Sequence, residues 1–285
     1  MHIDLLDHGY VRFIEAWGTG EAGKESKDPG FYRNPTDFDF ECGIIEAARQ
    51  STQASFRGWD SDPCDCGSES DRTSQGGPDV GEHTPDCARK QNPGDQRLLE
   101  FLHNNRPKHT GPFEFSGMTL EIQAPIFVFR EWHRHRTQSY NEMSARYAPL
   151  PDFYYVPVLD DVMQRAHADT KNKQAKGMPG THLTDENARV WLESLDAFYD
   201  RAEQLYQWAL QVGIPKELAR VSMPVGHYSR MRATGNLLNW IRFLTLRMHP
   251  DAQAEIRRYA HVVGSILAHH FPRTWTQFRL EQDSK

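Results

Sequence analysis

The stretch from Arg134 to Arg146, Arg-His-Arg-Thr-Gln-Ser-Tyr-Asn-Glu-Met-Ser-Ala-Arg, follows directly on an apolar run and restricts how this chain can fold. Three guanidinium groups, two serines, an asparagine and a carboxylate are costly to enclose unless a ligand completes their hydrogen bonds. Arginine offers a planar fork of donors that suits phosphate and the polar edge of a base. Asn141 and Glu142 add the donors and acceptors that tell one ring from another. A fold compatible with this block has to keep it open to an anion.

At 285 residues the chain can hold one large or two modest domains and bury a proper core. Acidic residues outnumber basic ones, 39 to 33, for a net charge of −6, so attraction to a nucleic-acid backbone is not its general character. Arg130, Arg134, Arg136 and Arg146 run against that trend, and a cationic site on an acidic protein fits a small anion better than a long polyanion. The first eight residues contain acids and no apolar signal core. No apolar run approaches the ~18 residues of a membrane span. Four cysteines do not make a disulfide framework at this length. A cytoplasmic protein without membrane or nucleic-acid partners is expected.

Loose alternation over Ile3–Phe13 reads as one or two strands, followed by a helix through Cys42–Gln50. Residues 54–95 are rich in Gly, Asp, Ser and Pro and read as a loop-like insertion. A short amphipathic helix follows from Gln96. Met118, Leu120 and Ile122 alternate with polar residues, the pattern of a half-buried strand. Pro125 suits the start of a helix over Ile126–His133, which would set Arg130 and Arg134 one turn apart on one face. The arginine block then reads as a loop returning to structure at Tyr147. Thr184 caps a long helix to about Val212, with Val190, Leu192, Leu195, Phe198, Leu205 and Leu210 on or near one face. Asn236–Met248 forms a second helix, and Pro250-Asp251 opens a third that Pro272 ends. The expected fold is a single α+β domain: a small antiparallel sheet packed with helices, and a helical C-terminal half.

The pattern Arg-His-Arg-x-x-Ser-x-Asn-Glu-x-Ser-x-Arg, present without a mismatch, resembles the signature of the flavin-dependent thymidylate synthases. Leu6–Val11, Ile45–Arg49, His109–Phe113, Ala124–Arg130, Arg220, Asn236 and Leu244–Arg247 extend the likeness over most of the chain. Gaps fall at about 18–40, 54–95 and 160–182. The resemblance implies one enzyme domain over 1–285 that converts dUMP to dTMP, with methylenetetrahydrofolate as carbon donor and NADPH reducing FAD. It also implies a homotetramer with shared active sites. Carried over by position, Arg247 is catalytic and polarises the pyrimidine at N3. The implied dUMP contacts are Glu131, Trp132, His133, Arg134, Glu142, Met143, Ser144, Ala145, Arg146, Arg220 and Arg247. The implied FAD contacts are Ser51, His109, Gly111, Arg134, His135, Arg136, Glu142, Asn236, Leu237, Leu238 and Arg242. Two positions depart from the commonest pattern: Glu131 stands where many members have Gln, and Gly111 where a hydroxyl residue is frequent.

Other readings of the same residues stand beside these. The block can be a solvated cationic surface, Arg220 and Arg247 plain helix-surface arginines, His135 a packed ring, and Asn236 a helix cap. Ser144 invites a nucleophile role, but flavin chemistry makes a serine adduct unnecessary, and a ligand contact is the preferred assignment. Cys42, Cys64, Cys66 and Cys87 all lie away from the block, which fits a route without a cysteine nucleophile. Cys64, Cys66, His83 and Cys87 have an unusual spacing for zinc, so no metal is expected. At the level of function the alternatives are a nucleic-acid-binding module and a catalytically inactive homologue that keeps the fold.

Overall fold

The computed structural model describes residues 1–18, 39–50, 95–167 and 181–283. Ser51 and, apart from Asp95, the 54–95 insertion with its three cysteines lie outside the described residues. The strands are β1 (His2–Leu5), β2 (Gly9–Trp17), β3 (Gly117–Pro125), β4 (Ser139–Glu142) and β5 (Tyr228–Asn236). They form a sheet in the order β1-β2-β3-β5-β4. β1 and β2 pair antiparallel, from His2 opposite Arg12 to Leu5 opposite Gly9. β4 and β5 pair antiparallel, from Ser139 opposite Thr234 to Glu142 opposite Met231. The helices are α1 (Cys42–Arg49), α2 (Asp95–Asn104), α3 (Ile126–Trp132), α4 (Leu159–His167), α5 (Asp185–Gln211), α6 (Lys216–Ala219), α7 (Leu237–Arg247), α8 (Ala254–His270) and α9 (Pro272–Asp283). The expected α+β class is what the chain adopts. No helix among the described residues is long and apolar enough to cross a membrane.

The chain divides into two compact units. The first comprises Met1–Glu15, Thr119–Gly235 and Arg242–Val263. Its core gathers Leu120 and Ile122 of β3, Val128, Phe129 and Trp132 of α3, Phe243 and Leu244 of α7, and Ile256 and Tyr259 of α8, all buried. Trp132 lies 4.5 Å from Phe243, ring centre to ring centre. Tyr259 donates its hydroxyl to the Gln123 carbonyl at 2.7 Å. The same hydroxyl passes so close to Gly9 that a Cβ there would meet it at 2.1 Å, so this strand position requires glycine.

β3 is buried more fully than the simple alternation implied. It is central in the sheet, and its polar side chains, buried at Glu121 and half-buried at Thr119 and Gln123, have protein partners. Thr119 Oγ1 donates to Thr234 Oγ1 at 3.0 Å, and Gln123 Nε2 donates to the His8 carbonyl at 2.6 Å. Glu121 accepts the Tyr10 hydroxyl at 2.9 Å and pairs with Arg12 at 2.8 Å. A polar face of this kind satisfies the rule that buried polar groups are hydrogen-bonded.

The other expected elements exist with shifted edges. α3 stops at Trp132, so Arg134 lies beyond the helix and does not share a helical face with Arg130. The arginine block is not all loop, because β4 lies inside it. Thr184 does cap α5, its side chain accepting the Asn187 N–H at 3.2 Å. The buried side of α5, however, is Ala188, Tyr199, Ala202, Tyr206 and Ala209. Val190, Phe198 and Leu205 are 55%, 54% and 45% exposed, so half of the six expected apolar residues point outward in a single chain, while Leu192, Leu195 and Leu210 are half-buried. Tyr206 and Ala209 win the inner side because they pack against Ala219 of α6. The helix expected to open at Pro250 begins at Ala254 and stops at His270, just before Pro272 as expected; Pro272 then opens a further helix, α9. Proline at a first helical position loses nothing, since that N–H has no helical partner anyway.

The second unit comprises Ala16–Met118, Asn236–Ile241 and Gly264–Lys285. Trp240 donates its indole N–H to the Met118 carbonyl at 3.0 Å. Gly18, at φ 118°, occupies left-handed backbone and accepts the Gly43 N–H at 2.7 Å. The Glu41 carboxylate is fully buried and accepts the N–H groups of Thr274 at 2.6 Å and Arg273 at 3.1 Å. It thereby occupies the N-terminus of α9, where orphan donors and the helix dipole favour an acid.

Candidate functional site

α3 leaves β3 without a loop because Pro125 serves as its cap residue and Val128 and Phe129 bury in the first turn. Past Trp132 the chain tightens into turns: the His135 N–H reaches the Trp132 carbonyl at 3.0 Å and the Gln138 N–H the His135 carbonyl at 3.1 Å. Tyr140 places its hydroxyl 2.8 Å from the His135 carbonyl and 3.1 Å from that of Trp132. The Trp132 indole donates to Gln138 Oε1 at 3.1 Å. β4 then joins the sheet edge, and Met143 extends the pairing with an N–H to the Arg230 carbonyl at 2.7 Å. The result is a pinned segment from which Arg134, Arg136, Glu142 and Arg146 project into solvent.

Arg247 comes to this segment from the last turn of α7. Its Nη1 donates to Glu131 Oε2 at 2.7 Å, its Nη2 to the Glu131 carbonyl at 2.9 Å, and its Nε to His135 Nε2 at 2.9 Å. An acceptor role for Nε2 makes His135 neutral with its proton on Nδ1. Burial, then the Arg247 charge, lowers the His135 pKa to about 4, with Glu131 working in the opposite direction. A histidine that titrates near 6.5 when unfolded and near 4 when folded leaves the unfolded chain holding more protons between those values. Stability from this group is therefore complete above about pH 6.5 and declines as pH falls toward 4. Urea unfolding at pH 7 and pH 4.5 should show wild type losing on the order of 2 kcal/mol more than His135→Asn. Equal losses in the two proteins would remove the assignment.

Arg146 and Arg220 form a second grouping in the same unit. Arg146 Nε lies 3.8 Å from Glu217 Oε2, and Arg220 Nε donates to the Glu217 carbonyl at 3.3 Å. Glu217 carries little local signal in the sequence beyond its place just after the Pro215 helix start. A cavity of about 220 Å³ opens beside β4, lined by Glu121, Asn141, Glu142, Arg230 and Arg232 among others. Burial acts to raise the Glu121 pKa, but hydrogen bonds from Tyr10 and Arg12 and the Arg12 and Arg230 charges outweigh it and hold the carboxyl low.

The remaining candidate residues differ in what their side chains can offer. Trp132, Leu237 and Leu238 are core side chains, so a ligand contact at these positions falls to backbone. Asn236 is a helix cap, its Oδ1 accepting the Asn239 N–H at 3.0 Å. Ser144 Oγ accepts the Arg146 N–H at 3.3 Å, a local turn contact. Arg242 is exposed. In the second unit His109 is exposed and stacks on Phe101, ring centres 5.6 Å apart. Gly111 opens a short 3-10 turn, and a Cβ there would meet nothing within 4 Å. Cys42 is buried, and burial with the neighbouring Asp39 and Glu46 charges drives its thiol pKa well up, unfit for nucleophilic attack. Among the described residues no group of three or more His, Cys, Asp or Glu is arranged to hold a metal ion.

A family model described as thymidylate synthase complementing protein matches residues 40–273. Flavin-dependent thymidylate synthases from Thermus thermophilus and Thermotoga neapolitana are 36% and 34% identical to this chain. Each match runs over 184 residues, 65% of this chain, and covers 63% and 76% of the respective relative. The chain thus spans less than two thirds of the Thermus protein's length. A crystal structure of the UMP/dUMP methylase PolB from Streptomyces cacaoi bound with 5-Br dUMP is similar with a TM-score of 0.65 and 26% identity. That likeness covers 98% of this chain and 97% of the other.

Proposed function

The chain belongs to the flavin-dependent thymidylate synthase family, and from that premise we propose that it converts dUMP to dTMP. Methylenetetrahydrofolate is the carbon donor in this reading, and NADPH the reductant acting through FAD. The observation that carries it is the Arg247 guanidinium, brought across 112 positions of sequence to lie against Glu131 and His135. A fixed cation beside a pyrimidine stabilises negative charge as it builds on the ring, without moving a proton. Neutral His135 cannot compete for that charge. Arg146, near the Glu217 carboxylate, and Arg220, bonded to the Glu217 carbonyl, supply guanidinium groups for the nucleotide phosphate.

The residues present fit a flavin. In the first unit Arg134 and Arg136 are exposed guanidinium groups suited to its pyrophosphate; in the second, taken by itself, His109 with Phe101 is an exposed pair of stacked rings, and the space beside Gly111 admits close approach to backbone. When bound, FAD supplies the reducing equivalents that turn the transferred carbon into a methyl group. Among the described residues the one cysteine, Cys42, sits in an inert setting, which fits a route that draws no thiolate from it. Ser144 is a positioning contact here, so Ser144→Ala should retain at least about a tenth of wild-type dTMP formation. Complete loss in a folded variant that still binds nucleotide would restore the nucleophile alternative.

A homotetramer is part of the proposal. Outward apolar residues on α5, including Trp191 and Trp208, present an uncovered surface suited to a second copy. A monomer at micromolar concentration in analytical ultracentrifugation would remove that element. The central test is dTMP production from dUMP with FAD, NADPH and methylenetetrahydrofolate. Purified protein should be yellow and bleach with NADPH in the absence of oxygen. Flavin bound without tritium release from C5-labelled dUMP would mark an inactive homologue; colourless protein that shifts an oligonucleotide would mark a nucleic-acid binder.

A further inference from the structure

We infer that Glu131 is a positioning residue that acts on the nucleotide through Arg247, not a group that touches the nucleotide itself. The inference rests on the dUMP chemistry proposed above and deepens it. A guanidinium has five N–H donors in one plane. Three are engaged by the protein, and Glu131 supplies two of the three acceptors, one from its carboxylate and one from its own carbonyl. His135 supplies the third. These contacts grip both Nη atoms and Nε, which fixes the plane of the group as well as its place. One N–H on each Nη is left to point at a ligand, so the brace decides which way the cation faces.

Local structure explains why a brace is needed. Arg247 ends α7, and a long side chain in a last helical turn has many rotamers open to it. The Arg247 side chain is 15% exposed, so the helix end leaves it semi-enclosed but not packed rigid. The Glu131 carboxylate is 40% exposed and partly solvated, which moderates the pull between the charges while the geometry persists. Glu131 sits on α3 one residue before its end, and Trp132 next to it is locked in the core. The carboxylate is thus mounted on a rigid element, as a positioning group has to be. Its charge also offsets part of the guanidinium's, so direction is gained at some expense in field strength.

A double-mutant cycle separates this role from a direct nucleotide contact. Glu131→Gln keeps an acceptor oxygen but not the charge; the backbone half of the brace survives in every variant. In wild-type background, Glu131→Gln should lower dTMP formation about tenfold and change 5-bromo-dUMP affinity less than about threefold. Glu131→Leu should lose distinctly more than Glu131→Gln. In an Arg247→Ala background, Glu131→Gln should not weaken 5-bromo-dUMP binding further. Equal weakening of that affinity in both backgrounds would make Glu131 a nucleotide contact and overturn the inference. Urea unfolding of ligand-free protein runs the same cycle without chemistry: Glu131→Gln should lower the midpoint only where Arg247 is present, and additive shifts refute the brace. Wild type that binds 5-bromo-dUMP but makes no dTMP, or that fails to bind it, defeats the proposed function instead, and the unfolding cycle still decides the role of Glu131.

Discussion

Arg247→Ala is expected to lower dTMP formation by about a hundredfold to a thousandfold, the usual loss when one preorganised charge donor is removed from a reacting centre. The loss has two sources. In the proposed reaction the developing negative charge on the pyrimidine loses its cation, and Glu131 and His135 lose the group that joins them. Arg247→Lys separates these sources. Lysine restores a positive charge but has no planar fork, so it cannot reach two Glu131 oxygens and the His135 ring at once. Its expected activity lies between alanine and wild type, nearer alanine. Single-turnover dTMP formation at saturating dUMP is the measurement, with 5-bromo-dUMP affinity as the control for binding. Arg247→Ala activity within about tenfold of wild type would show that another group carries the electrostatic step.

Trp132→Ala is expected to cost about 3–5 kcal/mol of unfolding free energy, the range for deleting a large aromatic from a packed core. Trp132 is completely buried between Phe243 and Tyr259, ring centres 4.5 and 6.3 Å away. The substitution also removes the indole N–H from Gln138 Oε1, a buried acceptor 3.1 Å away. The turn that presents Arg134 and Arg136 therefore loosens together with the core. Trp132→Phe keeps most of the ring volume but not the donor, and its cost should be less than half that of alanine. Urea denaturation, with flavin binding measured alongside, tests both variants. A cost below about 1 kcal/mol for alanine would mean that the cavity collapses and that Trp132 is not the keystone of this segment.

Sequence pattern foretold the elements whose causes are local. Thr184 capped α5 as expected because an N-cap needs only a side-chain oxygen three residues before a free N–H. The arginine block points to a family because its spaced pattern of several residue types is long, and the family model matches residues 40–273 around it. What stayed hidden depended on partners far along the chain. Nothing near Glu131 announces that Arg247 will meet it, and nothing near Arg146 announces Glu217. The buried side of α5 is not legible locally because large aliphatic residues compete with Tyr and Ala for the inner face, and the outcome is set by α6. β4 escaped notice because a four-residue strand with polar side chains carries no hydrophobic alternation.

That short edge strand makes the block intolerant of any change in length. Along β4 successive side chains leave on opposite sides. Tyr140 bonds back toward the turn while Asn141 borders the cavity beside Arg232. A single inserted or deleted residue between Arg136 and Glu142 would swap the two sides and carry the tyrosine out of reach of the carbonyls it secures. The spacing of the block thus works as a ruler whose graduations are cut by strand pairing, so substitutions within it should be far better tolerated than frame-preserving indels.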